Sequence, residues 1–316
     1  MPVAQARMEE FEDYRSELTG YCYRMLGSAF DADDAVQEAL VRAWQGSANF
    51  EGRASVRTWL YRIATNVCLD SLRARQRRAL PMDLSAPVPS STAPVAQLPE
   101  TSWIEPLPDG DLGDPADVAV VADSVRLAFV AALQHLPPRQ RAVLILREVL
   151  AWQAAEVAEL LDTTVASVNS ALQRARATLA ASDRQDAAAP ATDADRSLLA
   201  RYVDAFEAYD IDRLVALLHE DASISLPPFS MWLRGHVDLH GWYLGYGIGC
   251  KGSRLVPTAA NGMPAFGHYK PSETPGTWEP WCIQVLELRD GRVQHVHHFL
   301  DTALFARFGL PLRLAG

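Results

Sequence analysis

Residues 136–180 read LPPRQRAVLILREVLAWQAAEVAELLDTTVASVNSALQRARATLA, and this stretch decides what kind of fold the first half of the chain builds. Leu136-Pro137-Pro138 is a helix start, because proline at the first helical position loses no intrahelical hydrogen bond. The apolar run Val143, Leu144 and 146–150 continues that helix. Residues 155–161 form a short second helix, Asp162-Thr163-Thr164 a turn, and a longer helix follows. In the last helix Val165, Val168, Leu172, Ala175 and Leu179 recur at spacings of three and four, which predicts a buried stripe. The opposite side carries Ser167, Asn169, Ser170, Gln173, Arg174 and Arg176. Hydroxyls and amides suit base edges and arginines suit phosphates, the combination a helix in a major groove needs. A plain helical hairpin with a polar outer face fits the same pattern.

Upstream, residues 9–80 also read as helices. Leu18, Cys22, Met25 and Leu26 form one stripe, ending near Gly27. Asp31 or Asp33 is placed to cap the next helix, in which Val36, Leu40 and Trp44 recur every four residues. A third helix, over about 55–78, carries Trp59, Ile63, Val67 and Leu72 on or near its inner side. Residues 53–78 hold seven arginines against a single acid, Asp70. Such a face is either solvated or built to meet phosphate.

Residues 81–123 contain eight prolines, eight acids and no Lys or Arg, the composition of an extended linker. Residues 182–194 are a second featureless break. From 195 onward an amphipathic helix (Leu198, Leu199, Tyr202, Val203, Phe206) precedes strand-like runs at 222–226, 253–260, 263–270, 278–288 and 292–301. Asn261-Gly262 and Asp290-Gly291 are strong hairpin signals. The expected fold is therefore multidomain: two all-α domains and a C-terminal α+β domain.

The chain has 316 residues and a formal net charge of −10, which taken as a total speaks against a nucleic-acid partner. Its distribution reverses that reading. The acidic linker holds eight of the excess negative charges, whereas 53–78 is strongly basic. The four cysteines are far apart without CxxC spacing, and the histidines lack metal-ligand spacing, so no disulfide framework, metal or cofactor is expected. The acidic N-terminus has no apolar secretion region and no run reaches membrane-span length, so a cytoplasmic protein without membrane attachment is expected.

These blocks together resemble an extracytoplasmic-function RNA polymerase sigma factor of the sigma-70 family, with a fused SnoaL-like domain of the nuclear-transport-factor type. The resemblance rests on Tyr23 to Gly27, Asp31 to Ala39, Phe50 to Arg73, and the stretch from Leu136 to Arg176 quoted above. It implies the domains 1–80 (region 2, a helical bundle), 81–123 (linker), 124–181 (region 4, a helix–turn–helix), 182–194 (linker) and 195–316 (a SnoaL-like cone). It implies core RNA polymerase and promoter DNA as partners. Asp33, Asp34, Gln37 and Glu38 would meet the clamp of the largest polymerase subunit. Arg53, Arg57, Trp59, Arg62, Asn66 and Arg73 would serve the minus-ten element, with Trp59 leaning toward core. Ser167, Asn169, Ser170, Gln173, Arg174 and Arg176 would read the minus-thirty-five element. Trp103 resembles the aromatic anchor that this subgroup keeps in its linker, and an acidic linker suits the polymerase's basic RNA-exit path.

For the C-terminal domain, Trp232, His240, His268 and Asp301 are the candidate lining of a pocket for a small ligand. No catalytic residue is assigned. The domain departs from the best-known fused subgroup in lacking its Asp-Gly-Gly-Gly signature; Asp290-Gly291-Arg292 comes nearest. The alternative readings are a SnoaL-like isomerase or cyclase with a DNA-binding regulatory half, and a repressor using only the helix–turn–helix.

Overall fold

The computed structural model describes residues 10–50, 55–73, 77–93, 97–113, 123–180 and 192–316. The chain divides into two compact units, Met1–Arg78 with Asp109–Asp186, and Ala79–Pro108 with Ala187–Gly316.

The first unit is helical. Helix α1 (Arg15–Leu26) is buried on every side from Leu18 onward, so it is the core around which the others pack. Gly27 ends it at φ 72°, donating its N–H to the Tyr23 carbonyl at 2.7 Å, a left-handed cap that glycine adopts without strain. Helix α2 (Ala29–Gly46) follows, and its cap is Ser28, whose Oγ accepts from the Asp31 N–H at 3.1 Å. Of the two expected caps, Asp31 instead forms a 2.7 Å ion pair with Arg78, and Asp33 lies exposed within the helix. Helix α3 (Val56–Leu72) is capped by Ser55 and ends six residues short of the expected 78, and Arg78 lies against Asp31.

Helix α4 (Leu127–Gln134) and α5 (Pro138–Leu144) follow, α5 starting on Pro138 as expected and running on into a π turn at Ile145–Val149. Helix α6 (Ala154–Leu160), a turn with Asp162 at φ 50°, and α7 (Val165–Ala180) complete the helix–turn–helix. Val168, Leu172, Ala175 and Leu179 are buried, but Val165 is exposed, because it opens the helix ahead of the packed turns.

Arg141 of α5 ties this part to α1. Its guanidinium donates to the carbonyl of Met25 at the end of α1, to Gln134 Oε1 at 2.5 Å, and to the Gln134 and Leu136 carbonyls. Helix-end carbonyls carry the negative end of the dipole and need donors. Burial pushes the Arg141 pKa down to about 10, and burial does the same to Arg24, which donates to the Ser124 carbonyl and hydroxyl.

The second unit is α+β. Helix α8 (Asp193–Glu207) is capped reciprocally by Thr192 and Asp195, and α9 (Ile211–Ala216) by Asp210. Strands β1 (Leu218–Ser225) and β2 (Trp232–Arg234), helix α10 (His236–Leu244), then β3 (Arg254–Ala260), β4 (Met263–Pro271), β5 (Thr277–Arg289) and β6 (Arg292–Phe299) follow. Helix α11 (Leu304–Arg307) and β7 (Leu314–Ala315) close the chain. The sheet order is β2-β1-β6-β5-β4-β3 with β7 on β5; β1 and β6 are parallel and the other pairs antiparallel. Asn261-Gly262 and Asp290-Gly291 turn the β3–β4 and β5–β6 hairpins with positive φ at both residues.

Tyr202, Phe206, Trp242 and Tyr243 pack with Ile224, Phe266, Leu286 and Val296, so α8 and α10 roof one sheet face. The C-terminal segment covers the other. A Cβ on Gly267 would lie 2.7 Å from Leu310 and 3.3 Å from Phe305, so glycine there permits the close approach. With both faces covered, His297 and His298 are both buried, against the expectation that one face of their strand is solvated.

Of the expected linker 81–123, the described residues 81–93 and 97–108 belong to this unit and run along it as a strap. Val88 donates to the Trp232 carbonyl at 2.9 Å, Leu98 to Pro228 at 3.0 Å, and Leu107 exchanges hydrogen bonds with Asn261. Trp103, Ile104 and Leu107 are buried. The strap has no core of its own and borrows one from the sheet domain, which composition alone does not reveal.

Candidate polymerase and promoter interfaces

Asp33, Asp34, Gln37 and Glu38 are all exposed and form one stripe along α2 at spacings of one, three and four. Val41 and Trp44 extend it as exposed apolar groups, and a groove of about 400 Å³ opens between Asp34, Gln37, Glu38 and Val41 of α2 and Val67 and Ser71 of α3. Trp44 was expected inward. Each i+4 step advances 40° beyond a full turn, so by Trp44 the Val36–Leu40 row has rotated out of the core. An acidic rim around exposed apolar side chains suits a basic protein surface with an apolar centre.

On α3, Arg62, Asn66 and Arg73 are exposed and lie on one stripe, and Arg73 pairs with Asp70 at 2.8 Å. Trp59 is half-buried, stacked on Phe50 with ring centres 4.7 Å apart and edge-on to Phe11. Arg53 lies outside the described residues. Arg57 is drawn off the stripe by an ion pair with Glu17, which also accepts from the Tyr61 hydroxyl at 2.9 Å. The Arg57 guanidinium sits 5.2 Å from the Trp152 ring centre, Tyr61 packs 5.0 Å from the same ring, and Arg62 donates to the Glu159 carbonyl at 2.6 Å. Trp152, which the sequence reading passed over, therefore presses the helix–turn–helix onto α3.

On α7, Ser167, Asn169, Ser170, Gln173, Arg174 and Arg176 are all exposed. Thr164 caps the helix by accepting from the Ser167 N–H at 3.1 Å, and Arg176 is partly neutralised by Glu148. Arg174→Ala is expected to weaken promoter binding by about 1 kcal/mol and to reduce the salt slope by about one, measured by fluorescence anisotropy across salt concentrations. An unchanged slope removes Arg174 from the phosphate contacts.

The four candidate pocket residues of the C-terminal domain do not converge. Trp232 sits on β2 and donates to the Ser85 carbonyl, His240 on α10 pairs with Asp212 at 3.0 Å, and Asp301 caps the turn after β6 by accepting from Ala303 N–H. Asp301 also lines a small groove with Trp103, Ile104, Phe299 and Leu304. His268 alone lies in the interior, where its Nδ1 is 3.0 Å from Gln284 Nε2, and Gln284 Oε1 accepts from the Tyr202 hydroxyl at 3.1 Å. Cys282 and His298 join it there; neither was a candidate, since they lie on neighbouring strands rather than at a local spacing. Burial holds His268 well below the usual histidine range and takes His298 down to about 3.

His295, partly buried and paired with the Ser223 hydroxyl at 2.6 Å, is brought down to about 4 by burial, against the opposing pull of Glu287. An unfolded histidine titrates near 6.5, so between about pH 6.5 and 4 the unfolded state takes up a proton that the folded domain refuses. The stability due to neutral His295 is complete above that window and lost as pH falls through it. His295→Gln is expected to remove about 1–2 kcal/mol of the acid-side loss, read from urea midpoints at pH 7 and pH 5. An identical loss in both proteins contradicts this.

Sigma-70 region 2 matches residues 11–78, Sigma-70, region 4 matches 126–179, and a SnoaL-like domain matches 199–296. The ECF RNA polymerase sigma factor SigG of Mycobacterium tuberculosis is 48% identical over 311 residues, spanning 95% of this chain and 82% of SigG. SigJ of the same organism is 29% identical over 97% of this chain and 95% of SigJ. The crystal structure of SigJ superposes with a TM-score of 0.61 at 24% identity, over 96% of this chain and 99% of that one, and so shares the fold. The chain belongs to the ECF RNA polymerase sigma factors, and its function is that of a sigma factor in transcription initiation.

Proposed function

We propose that the exposed stripe of α2 grips the largest-subunit clamp of core polymerase, that Arg62, Asn66 and Arg73 of α3 engage the minus-ten element, and that α7 reads the minus-thirty-five element. Arg57 joins the α3 set once released from Glu17. The observation that carries this reading is the side-by-side exposure of an acidic stripe on α2 and an arginine–asparagine stripe on α3, each on a helix whose opposite face is core. Base capture during melting needs a polar group beside phosphate-binding cations, which Asn66 between Arg62 and Arg73 supplies.

The contact of Arg62 with Glu159 occupies part of that stripe, and Trp152 holds Arg57 beside it, so promoter engagement requires the helix–turn–helix to lift from α3. The C-terminal domain is proposed to modulate the factor through residues 79–108, with Trp103 as the anchor, and to sense a small ligand; no catalytic step is assigned to it. The factor is proposed to work in the cytoplasm. Among the described residues no helix is long and apolar enough to cross a membrane.

Permanganate footprinting of a promoter complex tests the assignment. The double substitution Arg62→Ala, Asn66→Ala is expected to abolish the reactivity of unpaired minus-ten thymines while polymerase binding stays intact. Unchanged reactivity removes this stripe from melting.

A further inference from the structure

We propose that the interior of the C-terminal domain binds a divalent, thiophilic metal ion, of which zinc is the fitting kind, on His268, Cys282 and His298. The three side chains come from the adjacent strands β4, β5 and β6. In the register His268 lies opposite Cys282 and His298 lies opposite Gln284, two residues further along β5. All three are buried, and one ligand atom from each falls within 4.8 Å of the other two, the one such cluster among the described residues.

Two further features point to a ligand. First, His268 Nε2 and His298 Nδ1 are buried without any hydrogen-bond partner. Unsatisfied ring nitrogens in a dry interior are costly, and a metal ion is what two histidines and a thiol would jointly accept. Second, the groups are held for it. The pairing of β4 with β5 slips just past His268, so Trp281 is an extra residue and both it and Cys282 reach the His268 ring. The Trp281 ring centre is 4.6 Å from that of His268, Phe206 flanks the imidazole at 5.0 Å, and Cys282 Sγ is 3.6 Å from Nδ1. Gln284, its Oε1 fixed by the Tyr202 hydroxyl, turns its amide N–H to His268 Nδ1 and so fixes the orientation of the ring.

The donor set selects the metal. One sulfur and two imidazoles without a carboxylate disfavour magnesium and calcium and suit zinc. Tetrahedral zinc needs nitrogens at about 2.0–2.1 Å and sulfur at about 2.3 Å, so the ligand atoms must close by about an ångström. On binding, the Cys282 S–H bond breaks, its proton leaves to solvent and a sulfur–metal bond forms with the remaining electron pair. The thiolate offsets one of the ion's two charges, and Lys270, whose Nζ lies 3.6 Å from the Trp281 ring centre, would favour an anion in the fourth position. This site stands apart from the promoter reading.

Cobalt(II) titration of the full-length, metal-free, reduced chain tests it. The expected result is a near-ultraviolet thiolate-to-cobalt band with visible tetrahedral d–d bands, saturating at one ion per chain and reversed by zinc. Cys282→Ser is expected to abolish the thiolate band, Cys250→Ser to keep it, and His298→Gln to weaken cobalt binding at least tenfold. If Cys282→Ser does not fold, as read by near-ultraviolet circular dichroism, His298→Gln decides. No thiolate band in the unmodified chain, binding at full strength in His298→Gln, or a band that survives in folded Cys282→Ser overturns the proposal.

Discussion

Replacing Arg78 with alanine is expected to destabilise the helical unit by about 3–5 kcal/mol, the range for removing one partner of a buried ion pair. Arg78 is 6% exposed and its partner Asp31 14% exposed, 2.7 Å apart. Without the guanidinium, Asp31 loses this ion-pair partner in a largely buried site. The N-terminus of α2 offsets part of that cost, since Asp31 lies in the first turn, where the helix dipole favours an acid. Arg73→Ala is the matched control: its pair with Asp70 is exposed on both sides, and a change of about 0.5 kcal/mol or less is expected. Urea unfolding of both variants checks the contrast. Equal effects would mean that Arg78 belongs with the promoter-facing arginines after all.

Reversing charge on α2 is expected to have the second large effect, on binding rather than on folding. The double substitution Asp34→Lys, Glu38→Lys turns two exposed acids at the rim of the α2–α3 groove into cations on the face proposed to meet polymerase. Like-charge juxtaposition across an interface costs several kcal/mol, so affinity for core polymerase should fall by about 100-fold, or about 3 kcal/mol. Neither side chain supports the core, so the unfolding midpoint should stay within about 0.5 kcal/mol of its original value. Equilibrium competition for core enzyme against the unmodified chain measures the first quantity. Undiminished affinity would move the polymerase contact away from α2.

The helices and hairpins were legible because their signals are local. Pro138 starts α5, Gly27 ends α1, and two Asn/Asp-Gly pairs turn the sheet. The candidate residues on α2 and α7 emerged exposed for the same reason, since helical periodicity alone assigns the outer face. Sequence failed where a distant partner decides. Arg78 reads as a member of the basic face, yet it pairs with Asp31 in a largely buried site, and the ion pair of Arg57 with Glu17 is equally invisible to local pattern. Trp103 stands out in the sequence as an anchor, but the surface that buries it and Ile104 does not, because that surface includes residues more than a hundred positions away. The C-terminal candidates scattered because histidine content says nothing about which strands become neighbours. Register, not spacing, brings His268, Cys282 and His298 together.

Run-off transcription with purified core polymerase tests the central claim most directly. The chain, added to core enzyme that is inactive alone on a genomic promoter library, should yield discrete transcripts, and Arg62→Ala with Asn66→Ala should eliminate them. If neither the full chain nor a form ending at residue 181 directs initiation at any promoter in the library, these helices do not act as the promoter-reading half of a sigma factor.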